Sequence, residues 1–494
     1  MVYDHGYIMS WEIYSRANQL IQSGKISEAR ELVADPETPT YKIIEAHIYH
    51  KLNEFDKSRK ITAQIVSNTS INLDDRLIAY YWYAWNYLSE GDYSSTLAII
   101  EEGLNLVELS ETDHKRGTAY LYNVKGTTLK ESGDIENAQY YTEKGLEMAK
   151  QTDDLRLVGA ITNNLASTYF FKGDYRNSLS LFFDAAEAAR QCSNPYVEAV
   201  ALSNIGELYQ YLAEIQLAKQ YLYQALRVNT SIDNQSGIAA CHRKLGEIAF
   251  QLNNFEDARP HLQESIEIYQ DLGNKFYLCL SYFAMIKLLL NLQEDIDGIL
   301  IDMEIVSKGS KNPLLIQIYN LTEAIVLKNQ TSLLKRGQAM IYLEKIIYAK
   351  ILHFEITYEA TLHYIDLLIQ EYLLTEDNHK LDQIISLVTK IYTQAVAKNA
   401  TIKIIESLIL RSKLYTISLQ IDRAIENLQT ARKIAIKNDL EEFTKSIDEE
   451  IDLQHEELNR YQQLVDDNAS LIDKIEESGL VDYINSLVPI LKHH

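Results

Sequence analysis

Apolar positions recur with helical spacing along nearly the whole chain, and short polar turns interrupt them at regular intervals. The densest stretch is YYWYAWNYL, Tyr80 to Leu88. On a strand its rings would alternate between two faces, whereas on a helix they surround the axis. The flanking turns favour the helix. One pattern, a turn followed by an aromatic or β-branched residue and then a small one, returns as GKISEA at Gly24, NEFDKS at Asn53, GDYSST at Gly91, GDIENA at Gly133, GDYRNS at Gly173, AEIQLA at Ala213 and NNFEDA at Asn253. Successive starts lie 29, 38, 42, 40, 40 and 40 residues apart. A period of this length marks a repeat architecture in which each unit is one pair of helices.

Small residues keep fixed offsets from each turn. Ala17, Ala46, Ala84, Gly126, Ala166, Gly206 and Gly246 come seven positions before it, and Ala29, Ser58, Thr96, Ala138, Ser178, Ala218 and Ala258 come five after it. Such positions let two antiparallel helices approach closely. Only 6 prolines and 18 glycines are spread over 494 residues, so long helices meet few breakers. An all-α fold is expected.

These residues resemble the tetratricopeptide repeat (TPR) family. The pairs Leu165-Ala166, Ile205-Gly206 and Leu245-Gly246, the tyrosines at 49, 87, 169 and 209, and the GDY turns carry the likeness, over residues 10–300. The spacing is near forty rather than about 34, and the closing proline of the usual repeat is missing. Both departures resemble the longer-helix variety found in bacterial peptide-sensing regulators, kinesin light chains and multi-repeat prokaryotic regulators. The resemblance implies a right-handed TPR-like α-solenoid, a superhelix of antiparallel helix pairs.

Three regions are expected: a regular array over 10–300, divergent TPR-like pairs over 301–438, and a charged C-terminal segment over 439–494 ending in an amphipathic helix. In the last, Ile447, Ile451, Leu458, Val465, Ile472 and Ile475 form an apolar seam if Gln454 and Asn468 share it. That spacing suits a coiled-coil-like helix, which either pairs two copies of the chain or folds back to cap the last repeat.

Charge and motifs narrow the function. The 70 acidic against 47 basic residues give a net charge of -23, which repels a phosphate backbone, so nucleic acid is not an expected partner. Neither an export signal nor a membrane-spanning run stands out, and three scattered cysteines suit a reducing cytoplasm. No phosphate-binding loop, dinucleotide fingerprint, nucleophile elbow or HExxH motif is present, so neither catalysis nor a cofactor is expected. His47 and His50 share a helix face, but groove-lining or solvated histidines explain them more simply than a metal does. Arg243 and Lys244 form a basic spot of the kind usually solvated or ion-paired.

The expected role is a protein-interaction scaffold or adaptor that holds a peptide or protein segment in its concave groove. The alternatives are a ligand-sensing regulator acting through a partner, and an assembly subunit joined through the C-terminal helix. The repeat frame assigns Tyr80, Tyr83, Ala84 and Tyr87 to the core. It places Tyr81, Trp85 and Leu88 on the open face, followed by Asn123 and Thr127, Asn163, Ser167 and Phe170, Ser203, Glu207 and Gln210, and Arg243 and Glu247. Amides one repeat apart would hydrogen-bond a peptide backbone, while the rings supply apolar pockets.

Overall fold

The computed structural model describes residues 13–453, except 15, 19, 22–24, 33–34, 36, 309–311, 331, 350–353, 376, 419 and 442, together with 475 and 478–487. Every regular element among them is a helix. A short α1 (Ile26–Glu31) precedes the pairs α2 (Pro39–Lys51) with α3 (Phe55–Ser67), α4 (Leu73–Ser89) with α5 (Tyr93–Glu108), and α6 (Lys115–Ser132) with α7 (Ile135–Lys150). Next come α8 (Leu155–Phe171) with α9 (Tyr175–Gln191), α10 (Pro195–Tyr211) with α11 (Ile215–Ser231), and α12 (Gln235–Gln251) with α13 (Phe255–Asp271). The array continues as α14 (Lys275–Asn291) with α15 (Asp297–Lys308), α16 (Pro313–Lys328) with α17 (Leu333–Ile347), α18 (Phe354–Thr375) with α19 (Asn378–Ala397), and α20 (Thr401–Ile417) with α21 (Ile421–Lys437). A terminal helix, α22 (Leu480–Leu487), follows.

The turn pattern has a direct backbone cause. Asn53, Gly91, Gly133, Gly173, Ala213 and Asn253, the first residues of six of the seven repeated turns, are all left-handed, with φ between 57 and 90°. Each ends a helix by letting the next N–H reach back to a carbonyl five residues earlier, as in Asp92 N to Tyr87 O and Asp174 N to Tyr169 O, both 3.0 Å. The aspartate after the glycine then starts the second helix: Asp92 accepts from Ser95 N at 3.0 Å, and Asp174 from Asn177 N at 3.2 Å. GD is thus a stop and a start in two residues. Gly24 lies outside the described residues.

The small residues meet across the pairs. Ala46, Ser58, Ala84, Thr96, Ala166 and Ser178 are fully buried, and Ser58 and Ser178 donate to Ala46 O and Ala166 O at 2.7 and 2.8 Å. Gly126 and Gly206 leave no room for a methyl group, since a Cβ would lie 2.1 Å from Thr142 Oγ1 and 2.8 Å from Leu222 Cγ, respectively.

The chain divides into two compact units. One runs to Ile248 and includes Glu264–Asn274; the other comprises Ala249–Gln263 and everything from Lys275. In the first, α2, α4, α6 and α8 each pack on the next even-numbered helix, and α10 meets α12 through Ser203–Cys241 and Glu207–Lys244, while the odd-numbered helices α3 to α11 pack less closely on one another. The even-numbered helices are therefore the crowded, inner layer. In the second, α14 touches α16 and α16 touches α18 in the same manner. Helix lengths drift there, with 12 residues in α15 and 22 in α18 against 17 in α8 to α11, so constant sequence offsets no longer hold.

After α21 the chain stays against its neighbours. Leu440 and Ile447 are buried, Arg432 pairs with Asp448, and Lys413 donates to Glu450 at 2.7 Å. The seam positions Gln454, Leu458, Val465, Asn468 and Ile472 lie outside the described residues.

Candidate functional site

The inner face of the first unit begins in an aromatic cluster. Trp82 and Asn86, which sequence offsets did not single out, are buried, and Trp82 donates through Nε1 to the Tyr14 hydroxyl. His47 stacks on Trp82 with ring centroids 3.8 Å apart, and His50 Nδ1 lies 2.9 Å from Asn86 Oδ1. Burial holds both imidazoles neutral, His47 well below the ordinary range and His50 at about 4. His47 is buried and His50 partly buried, and no metal-binding cluster of His, Cys, Asp or Glu occurs among the described residues.

Tyr81 and Trp85 sit half-buried on the open side of α4, with centroids 6.2 Å apart, and Tyr81 meets Tyr120 of α6 edge-on at 4.9 Å. Leu88 corrects the sequence assignment: it is 8% exposed and belongs to the core. The step from Trp85 to Leu88 turns far enough around the axis to point the leucine at neighbouring helices. Tyr80 and Ala84 are buried as expected, whereas Tyr83 and Tyr87 are only partly buried against the core.

Further along, amides link successive inner helices. Asn164 Nδ2 of α8 donates to Asn123 Oδ1 of α6 at 2.8 Å, and Asn204 Nδ2 of α10 donates to Asn163 Oδ1 of α8 at 3.0 Å. Both bonds span 41 residues, one repeat plus one position. Asn123 and Asn163, 4% and 7% exposed, are buried like Leu88 and also depart from the open-face assignment, because a ladder that uses Oδ1 and leaves Nδ2 draws them between neighbouring helices. Sequence offsets found the acceptors but missed the donors Asn164 and Asn204; the recurrence of asparagine 41 residues on was the available signal.

Around the ladder, Thr127 bonds back to Asn123 O, and Ser167 accepts from Lys130 Nζ at 3.0 Å. Phe170 packs against Tyr211 edge-on at 5.1 Å, and Ser203 Oγ lies 3.5 Å from Cys241 Sγ. Gln210 is half-buried on α10. Charges close the row. Lys244 donates to Glu207 at 2.8 Å, and Arg243 pairs with Glu247 one turn away. Lys244 holds the Glu207 carboxyl below its usual range. The basic spot is ion-paired, and the quartet balances two positive against two negative groups.

Residues 151–439 match the family described as the MalT-like TPR region. The chain belongs to that family. Solved structures of similar fold include a Rap protein complexed with Competence and Sporulation Factor, 13% identical with a TM-score of 0.50, over 72% of this chain and 99% of that one. The apo form of RapI is 14% identical, with a TM-score of 0.50, over 72% and 98% of the two chains. The apo form of the quorum sensor NprR from B. thuringiensis is 12% identical, with a TM-score of 0.50, over 70% and 99%. At these identities the likeness is one of fold. A comparison with curated proteins finds no match. The matched MalT-like TPR region begins just before α8, so it takes in Asn163, Asn164 and Asn204, while the aromatic cluster of α4 precedes it. No helix among the described residues is long and apolar enough to cross a membrane.

Proposed function

We propose that the inner face formed by α4, α6, α8, α10 and α12 binds an extended segment of a peptide or protein, and that the protein works as a non-enzymatic adaptor or sensor. The carrying observation is the ladder at Asn123 and Asn163. Each amide is fixed through Oδ1 by the next repeat, so its Nδ2 keeps a set direction and would meet a ligand through the small part of each side chain that stays exposed. Packed helices lie about 8–10 Å apart, and an extended chain advances about 3.3 Å per residue. Donors one repeat apart are therefore separated by about two to three residues of a segment running along the layer. Tyr81, Trp85 and Phe170 provide apolar contacts, and the quartet of Glu207, Arg243, Lys244 and Glu247 offers either sign of charge.

Two of the structures of similar fold lend support in kind: the Rap protein was captured with Competence and Sporulation Factor, and NprR is a quorum sensor. A sensor of this kind passes its signal through a partner, which also fits the absence of catalytic motifs in the sequence. The test is selection of peptides from a random displayed library on the full chain, followed by affinity measurement on variants. Trp85→Ala and Asn163→Ala should each weaken the selected peptides by about 1–3 kcal/mol with helical content unchanged. Affinities unchanged in both variants would move the binding surface elsewhere.

A further inference from the structure

The second unit already carries a helix on its inner layer. The helix α22 lies against α18 and α20, both first members of their pairs. It turns one side inward: Leu480 is 1% and Ile484 0% exposed, with Tyr483 beside them, a spacing of three and four residues that puts all three on one face. Asp482, Asn485 and Ser486 face solvent. Two polar contacts fix its position, the Tyr483 hydroxyl donating to Glu406 O at 3.2 Å and Lys413 Nζ donating to Ser478 O at 3.2 Å. Lys413 also lies 5.8 Å from the centre of the Tyr483 ring.

A helix of 8 residues does not hold its conformation alone in water. Its order comes from the surface that receives it, which is how an amphipathic helix behaves in a recognition groove. Both latches accept or donate at backbone carbonyls or through a single hydroxyl, so the surface reads a short pattern rather than a whole domain. The helix belongs to the same chain as its receiving surface, and covalent attachment keeps a weak ligand seated by raising its local concentration.

We propose that the α18–α20 face is a second binding site, that α22 is its resident ligand, and that a partner's amphipathic helix with the same Leu-x-x-Tyr-Ile pattern displaces it. The site shares no residue with the face of α4 to α12, so either stands if the other falls.

The experiment begins with the full chain, folded intact, carrying a specific protease site flanked by glycine and serine between residues 463 and 464. After cleavage, a fluorescent synthetic peptide of residues 475–491 is added and its uptake followed by polarisation, alongside the same peptide carrying Tyr483→Ala and Ile484→Asp. The expected result is exchange of the severed segment for the labelled peptide, with the doubly substituted peptide bound at least about tenfold more weakly. In the uncut chain, uptake should fall by about tenfold or more, because the tethered helix competes. The proposal is overturned if the severed segment resists an approximately hundredfold excess of peptide, which would make it a permanent part of the fold. It is equally overturned if the segment leaves and no peptide binds, or if both peptides bind alike.

Discussion

Gly206 and Gly159 both sit inside helices of the first unit, and opposite effects are expected from giving each a methyl group. In either helix, alanine gains about 1 kcal/mol over glycine from backbone entropy alone. At Gly159 the new Cβ would lie 3.6 Å from Ala185 O and Ala188 Cβ and 3.7 Å from Val197 Cγ1, all ordinary contacts, so Gly159→Ala should keep that gain. At Gly206 it would lie 2.8 Å from Leu222 Cγ, 3.1 Å from its Cδ2 and 3.2 Å from the backbone oxygen of Ala218. Leu222 is fully buried and has nowhere to swing, so the α10–α11 pair must spread. Overpacking of this kind costs about 1–3 kcal/mol, leaving Gly206→Ala between roughly neutral and 2 kcal/mol less stable. Repeat arrays open piecewise, so the assay is amide hydrogen exchange read by mass spectrometry over α8–α9 and α10–α11, not one global melt. Exchange should slow in the first case and quicken around α10–α11 in the second. A shift in the same direction for both variants would refute the claim that the repeat selects small residues for helix approach.

Acid should loosen the N-terminal pairs: His50 is held neutral at about 4 against 6.5 when unfolded, so its contribution is complete above pH 6.5 and fades as the pH falls towards 4. Its full loss is worth about 3 kcal/mol, and urea midpoints at pH 7 and 4.5 should differ less in His50→Gln than in the parent chain. Asp92→Ala should cost about 1 kcal/mol, because Asp92 caps α5 through Ser95 N, whereas Glu214→Ala should change stability by less than about 0.5 kcal/mol, because Glu214 makes no side-chain cap on α11. Asn204→Ala should weaken a peptide selected on the inner face although Asn204 need not touch it, since Asn163 loses the bond that orients it; equal affinity would show the ladder to be irrelevant to binding.

Turns and helix approaches were legible in the sequence because each rests on one residue type at one place: a left-handed position that glycine or asparagine suits, an aspartate that caps, a small residue that lets backbones close. The open face was harder to read. A helix inside an array is covered by its partner and by the helices before and after it, leaving a strip too narrow for a 3.6-residue frame to assign reliably. Leu88 fell on the wrong side of that boundary, and Trp82, which the frame did not place, lies in the core against Tyr14 and His47, 68 and 35 residues away. The asparagines were found but their pairing was not, since an amide looks the same in sequence whether free or tied. Beyond Ile296 the helix pairs persist with changing lengths, so the repeat blurs in sequence while the packing continues.

The ladder also bears on how such a chain changes size. Its two bonds each span 41 residues, while the left-handed turns at 133, 173, 213 and 253 recur every 40. Excising residues 124–163 would bring Asn204 to the forty-first position after Asn123, the same span that joins Asn164 to Asn123 now. The turn at 173 would inherit the place of the one at 133. Duplicating residues 125–164, which carry Asn163 and Asn164 together, would insert a rung in the same register. Excision or duplication of a whole 40-residue repeat in that frame would therefore shorten or lengthen the inner face while keeping the asparagine register.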